Sequence, residues 1–241
     1  MLDNIVLGTK IELQKRMDRF SLSPQSKRSY ISQVLDYSEE DEDELVCAMP
    51  IFEGRIIPLE VNSEYDAFFY TSKGIYKAAV SITRRAKERN IYTVNLKLLS
   101  NPEKFQRREY YRLGCTIEVQ YSLFNEEETQ YFLRHSKLPN NLQANPVKAI
   151  IVDISGGGVR VFTQEQLNTG SFIMLNFQLF ISGKLKQFNV AGKIVMSLES
   201  PNVSDIYDTR IEFKRIADNE RSEIVKYIFE QQRQLRNKER G

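Results

Sequence analysis

The chain has 241 residues, too many for one small barrel and about right for two modest domains. With 41% hydrophobic and 27% charged residues it has the means to build cores, and a formal charge of only +2 argues against the broad basic surface that long nucleic acid demands. No apolar run approaches the ~18 residues of a membrane span, MLDNIVLGTKIEL lacks a signal-peptide pattern, and Cys47 and Cys115 have no partner spacing, so a cytoplasmic protein with buried, reduced thiols is expected.

Short β-branched and aromatic runs fill the first block. Ile11 and Leu13 alternate with polar residues. Strands are predicted over Tyr30–Tyr37, Leu45–Ala48, Arg55–Val61, Ala67–Tyr70, Ile75–Thr83 and Ile91–Leu99. Turn-forming clusters (FEGR, VNSEYD, TSKG) separate them, as in a small barrel or sandwich. Phe68, Phe69, Tyr70 and Tyr92 read as core. The acidic run Glu39–Glu44 reads as a solvated loop, and Arg84–Arg89 as a solvated hairpin end.

A joint follows, SNPEKFQRR, in which Asn-Pro starts a turn and the charged stretch has no strand pattern. The second block opens on a clear alternation. Leu113, Cys115, Ile117, Val119 and Tyr121 share one face, while Gly114, Thr116, Glu118, Gln120 and Ser122 share the other. Residues 125–146 read as an inserted, mobile excursion. Strands resume over Val147–Asp153, Val159–Phe162, Phe172–Ile181, Phe188–Ser197 and Thr209–Lys214. A helix from about Asp218 closes the chain, with Ile224, Ile228, Gln231 and Leu235 on one stripe and a fraying RNKERG end. The expected domains are therefore 1–100, a hinge at 101–112, and 113–241.

Two motifs carry chemistry. The first is Gln106-Arg107-Arg108-Glu109-Tyr110-Tyr111-Arg112. Arginine forks suit phosphate oxygens and guanine edges, and they stack on purines. Arg108 and Arg112 share parity with the wet face of the strand that follows. Alone, the cluster reads rather as a solvated linker paired with Glu103 and Glu109, since two or three arginines near a domain boundary are common. The second motif is Asp153-Ile154-Ser155-Gly156-Gly157-Gly158, between two apolar strands. Its glycines permit positive φ and close backbone approach. Asp153 suits a guanine N1–H and N2–H₂ edge. The plain alternative is a hairpin turn in which Asp and Ser bond their own backbone.

Together, Arg-Arg-x-x-x-Arg and Asp-x-Ser-x-x-Gly resemble the PilZ family, over roughly Phe105 to Leu235. The resemblance implies a six-stranded antiparallel barrel with a C-terminal α-helix, and cyclic di-GMP as ligand, often as a stacked pair. By position, Arg107, Arg108 and Arg112 would hold phosphates and guanine faces; Asp153, Ser155 and Gly158 would hold a guanine and the closing backbone. In the first block, GTKIEL, SQV at 32–34 and AMPIFEGRIIPL at 48–59 are similar to the N-terminal domain of flagellar-brake PilZ proteins of Gram-positive type. Two features depart from that pattern: Arg210-Ile211-Glu212-Phe213, where many members carry a Gly, and the 125–146 insertion.

The expected fold is thus mainly all-β, with two small antiparallel barrels. The expected function is a non-enzymatic cyclic di-GMP receptor whose ligand reorients the domains. Its expected partner is the flagellar stator or rotor switch, and its place the motor base. The rivals are control of exopolysaccharide or biofilm formation and, in another class, a single-stranded nucleic-acid barrel that stacks bases on Tyr110 and Tyr111. No cofactor, metal or catalytic set is expected. His135 is the lone histidine, and Ser155 has no base to activate it.

Overall fold

The computed structural model describes residues 5–16, 29–88, 90–135, 137, 145–201 and 203–240. They form two compact units, Met1–Arg107 and Arg108–Gly241, so the division falls inside the expected hinge.

The first unit is built from β1 (Lys10–Lys15), β2 (Ser29–Tyr37), β3 (Glu44–Ala48), β4 (Ile51–Phe52), β5 (Arg55–Ile56), β6 (Glu64–Thr71), β7 (Gly74–Glu88), β8 (Ile91–Leu98) and β9 (Glu103–Lys104). The main sheet runs β6-β1-β2-β3-β8-β7-β9, and β6 also pairs with β7, which closes the ring. The long β7 makes closure possible. Its first half pairs with β6 and its second with β8, with an irregularity between Ile82 and Arg84 where the strand changes neighbours. Ile11, Leu13, Leu45, Phe69, Ile82 and Leu96 meet inside.

Several expectations need correction here. The strand predicted over Arg55–Val61 shrinks to the two residues of β5 in a small β4–β5 hairpin. Tyr92 is exposed rather than core; its ring lies 4.9 Å from the Lys87 ammonium. The hairpin end expected at Arg84–Arg89 stands: Arg84 to Glu88 end β7 where it turns into β8, Arg84, Arg85 and Lys87 are exposed, and Arg89 lies outside the described residues. The joint is not all irregular: β9 pairs with β7, the Phe105 amide donates to the Ile75 carbonyl at 2.7 Å, and its ring packs on Phe68 at 5.1 Å.

The second unit contains β10 (Arg112–Leu123), α1 (Glu126–His135), β11 (Val147–Ser155), β12 (Gly158–Thr163), β13 (Phe172–Ile181), β14 (Lys184–Glu199), β15 (Tyr207–Phe213) and α2 (Asp218–Arg240). Six strands close into an antiparallel barrel in the order β10-β11-β12-β15-β14-β13, the architecture that the second block implied. On β10 the alternation holds: Leu113, Val119 and Tyr121 are buried and Arg112, Gly114, Thr116, Glu118 and Gln120 exposed. Cys115 is only half-buried, against the expectation of a buried thiol; Cys47 is buried. Along α2, Ile224 and Ile228 are buried but Leu235 is exposed, so only the helix's first half is seated. The helix continues through the predicted fraying end to Arg240.

The 125–146 insertion is not structureless. Asn125 Oδ1 accepts from the Glu128 amide, and Glu128 Oε2 accepts from the Asn125 amide, both at 2.8 Å. This reciprocal pair is a capping box, which satisfies two donors that the first turn of α1 would otherwise leave open. Phe132 is then buried against Phe124 and Phe172. Residues 136 and 138–144 of the insertion lie outside the described residues. Replacing Asn125→Ala should cost about 1 kcal/mol. Amide exchange should quicken across α1 and leave the barrel strands unchanged.

Candidate functional site

The second unit presents its polar groups on the outside of the barrel. Six strands enclose only their own side chains; even eight leave an interior just wide enough to be filled. Ile151, Ile154, Val159, Leu175 and Ile211 fill it here. Asp153 owes its outward position to an extra residue. Ile151 is buried, so strict alternation would send Asp153 inward with it. Instead, β11 slips against β12 between Ile151 and Asp153, and β10 slips against β11 between Gly114 and Ile117. The bulge turns Asp153 out and Ile154 in. Asp153 then lies opposite Gly114, which removes any side chain that could cover it. Burial of the neighbouring Cys115, and after it the Asp153 charge, push that thiol up to about 11.

Arg112 sits two residues from Gly114 on the same exposed face and opposite Ser155. That diagonal relation puts its backbone roughly 7–8 Å from Asp153. Among the described residues neither side chain makes a hydrogen bond or ion pair, so a free cation and a free carboxylate stand side by side on the outer surface. The adjoining strands add Arg160, opposite Asp153, and Arg210 beyond it. Arg160 is paired with Asp208 at 3.2 Å. Arg210 is exposed and unpaired among the described residues.

Ser155 to Gly158 form the tight connection between β11 and β12. The Ser155 hydroxyl donates to the Gly158 carbonyl at 3.1 Å and accepts from the Gly157 amide at 3.4 Å. Ser155 therefore closes the turn, as the plain reading of the motif has it. The glycines carry a different reason from the one the sequence suggests, because none of the three has positive φ. They are glycines because of what touches them. A Cβ on Gly156 would stand 2.5 Å from the Tyr110 ring, and one on Gly157 at 3.2 Å. A Cβ on Gly158 would fall on the Ile211 carbonyl oxygen of β15. Tyr110 thus lies against the turn. Arg221 of α2 joins it: its guanidinium carbon is 5.5 Å from the ring centroid and its Nη1 donates to the Gly156 carbonyl at 2.7 Å.

The structure separates the arginine motif. Arg108 begins the second unit; Arg107 ends the first, where its Nη1 donates to Glu12 Oε2 at 2.7 Å and to the Tyr70 hydroxyl at 2.6 Å. Glu12 is almost fully buried on β1, a position that simple alternation assigns to solvent. Tyr70 also donates to Glu12 at 2.6 Å, and Gln14 and Ser29 donate to its other oxygen. Burial raises the Glu12 pKa, but hydrogen bonds from Tyr70, Gln14, Ser29 and Arg107 outweigh it and bring the carboxyl from 4.5 down to about 2. Of the six residues singled out in the sequence, five share the second unit: Arg108, Arg112, Asp153, Ser155 and Gly158. Sequence reasoning missed Glu12 and Arg221, and saw Tyr110 only as a possible base-stacking ring. Among the described residues, no group of three or more His, Cys, Asp or Glu is placed to hold a metal ion.

Fold and site together define a two-barrel β protein with a glycine-turn site on the outer wall of its second barrel. The model of the PilZ domain matches residues 106–230, more than half of the chain, which therefore belongs to the PilZ family. A second model, PilZNR, described as flagellar protein YcgR, matches residues 6–98. No curated protein sequence matches. Among solved structures, the Bacillus subtilis inhibitor of motility (MotI/DgrA) is 18% identical, with a TM-score of 0.69 over 95% of this chain and 98% of that one. YcgR from Escherichia coli in complex with c-di-GMP is 15% identical, with a TM-score of 0.45 over 96% and 87%. The K. pneumonia MrkH–c-di-GMP complex is 12% identical, with a TM-score of 0.41 over 95% and 90%. The likeness to the motility inhibitor is one of fold.

Two outcomes follow from this geometry. Gly158→Ala should lower stability by roughly 1–3 kcal/mol, because its methyl group meets backbone that cannot step aside; urea unfolding reads this without any ligand. Glu12 has a depressed native pKa, so its contribution to stability is complete above about 4.5 and lost as pH falls towards about 2. The stability gap between wild type and Glu12→Gln should therefore narrow across that window and stay constant above it.

Proposed function

We propose that this chain is a receptor for cyclic di-GMP, and not an enzyme. The observation that carries this reading is the unpaired Arg112 and Asp153 on the outer barrel wall beside the glycine turn, in a chain of the PilZ family. A cyclic dinucleotide offers the complementary groups. Its phosphates and guanine Hoogsteen edges accept from the forks of Arg108 and Arg112. The guanine N1–H and N2–H₂ donate to the Asp153 carboxylate. Ser155 and Gly158 serve by holding the turn in shape, with Gly158 letting β12 approach β15. Nη1 of Arg107 joins the ligand only if it leaves Glu12 and Tyr70, so ligand and buried carboxylate compete for that nitrogen.

That competition supplies a route from ligand to output. A ligand contacting the Arg107–Arg112 segment and the barrel stabilises whichever arrangement lets both contacts form. The region 101–112 then acts as a hinge between the domains at 1–100 and 113–241. The output is regulation of flagellar motility through a motor component, stator or rotor switch, and the protein works in the cytoplasm at the motor base. What supports this output is the match of residues 6–98 to the model described as flagellar protein YcgR.

Titration calorimetry tests the ligand directly. Micromolar cyclic di-GMP should give saturable heat with the full chain. Asp153→Ala and Arg112→Ala should each weaken binding about tenfold or more, since hydrogen bonds to charged groups are worth about 1.5–3 kcal/mol. Both variants should keep the wild-type melting temperature, as neither side chain holds a protein partner among the described residues. Arg107→Ala is a poorer probe because it strips a buried carboxylate of its cation. Absence of heat with well-folded wild type sinks the receptor reading. For the output, unchanged swimming in a deletion strain at raised cyclic di-GMP counts against the motor.

A further inference from the structure

We infer that Tyr110 and Arg221 are positioning residues for this site: they clamp the arginine segment onto the glycine turn, and through Arg221 they make α2 part of the site's frame. This rests on the receptor reading and gives roles to Tyr110, within the arginine motif, and to Arg221, outside both motifs.

The geometry is a three-way contact. The Tyr110 ring approaches the bare backbone of Gly156 more closely than a side chain there would permit, and presses on Gly157 as well. The Arg221 guanidinium lies over the same ring, 5.5 Å from its centroid. It also donates to the Gly156 carbonyl at 2.7 Å, so it grips both the ring and the turn. Arg221 lies in the first turn of α2, three residues before the buried Ile224, so its backbone is anchored by the barrel core.

Tyr110 is midway between Arg108 and Arg112, two residues from each. The backbone from 106 to 109 belongs to no strand or helix. The ladder with β11 begins only at Arg112. The ring on the turn is thus one anchor of the chain just before the ladder starts, two residues from Arg108. Without the clamp, only a fraction of molecules would present the arginines correctly, and apparent affinity falls by that fraction. A cation over an aromatic face plus a hydrogen bond, about 1–2 kcal/mol together, corresponds to a factor of about 5–30.

A positioning role differs in kinetics from a contact. Losing preorganisation lowers the association rate and leaves dissociation almost unchanged, whereas losing a ligand contact speeds dissociation. The experiment is surface plasmon resonance of the full chain over immobilised biotinylated cyclic di-GMP, with melting temperatures measured in parallel. Tyr110→Leu and Arg221→Gln should each slow association about 5–30-fold with little change in dissociation. Tyr110→Phe should bind as wild type, because the ring face is what is used. Asp153→Ala should instead dissociate faster. If Tyr110→Leu fails to fold, Arg221→Gln decides alone. The inference is overturned if Arg221→Gln associates like wild type, or if Tyr110→Leu and Arg221→Gln act through dissociation. Failure of wild type itself to bind overturns the receptor reading instead, so the two failures are distinct.

Discussion

The candidate site depends on one close approach, that of a tyrosine ring to the backbone of two glycines. Remove the open space over Gly156 and Gly157 and Tyr110 has nowhere to lie. Remove Tyr110 and the residues just ahead of β10 lose a ring contact with the second barrel's turn. The glycines are therefore a complement to an aromatic residue some forty-six positions earlier, and not a flexible loop. Flexibility would in fact work against them. Glycine carries extra backbone entropy in the unfolded chain, and a ring and a guanidinium laid over the turn restrict what that entropy would otherwise allow. The turn is best described as a seat.

A second constraint acts on the other side of the division. Arg107 and Arg108 are adjacent in sequence, yet one is held by a buried carboxylate of the first unit and the other opens the second. The Glu12 cluster is expensive to bury and is stable because it is complete: Tyr70 and Arg107 on one oxygen, Gln14 and Ser29 on the other. This gives the arginine pair an asymmetry that its sequence hides. One member already has an anionic partner, Glu12 of the first unit, whereas Arg112 farther along the motif has none among the described residues.

Much of the fold was legible because it rests on period-two alternation, and β10 is the clearest instance: a polar and an apolar face written out residue by residue. What escaped was whatever breaks the period. Asp153 reads as the end of a strand; only the pairing register reveals the extra residue that turns it outward. Glu12 reads as a solvent position between Ile11 and Leu13, and only the partners that come from β2, β6 and Arg107 explain its burial. Tyr92 failed in the opposite sense, since an aromatic on a short edge-like run carries no mark of which side it faces. Helix α1 was readable: Asn125 followed by Glu128 is a cap signature, obscured by the polar run around it. Arg221 had no signal at all, because it acts across the fold on a residue more than a hundred positions away.

These departures are connected. A filled six-stranded barrel can offer a ligand only its outer wall, and an outer wall of regular strands offers only alternating side chains at fixed spacing. A site there needs the regularity broken where the ligand is to sit. The bulge before Asp153 breaks it along the strand, Gly114 clears the space across from it, and the glycine turn breaks it at the strand's end. Each break weakens the ladder locally, and each is compensated by something beyond the ladder: Ile154 in the core, the Ser155 hydroxyl within the turn, and the Tyr110–Arg221 stack above it. The residues that make the site and the residues that stabilise its irregularities are largely different ones. A motif that names only the former describes what a ligand would touch and leaves out what holds it in place.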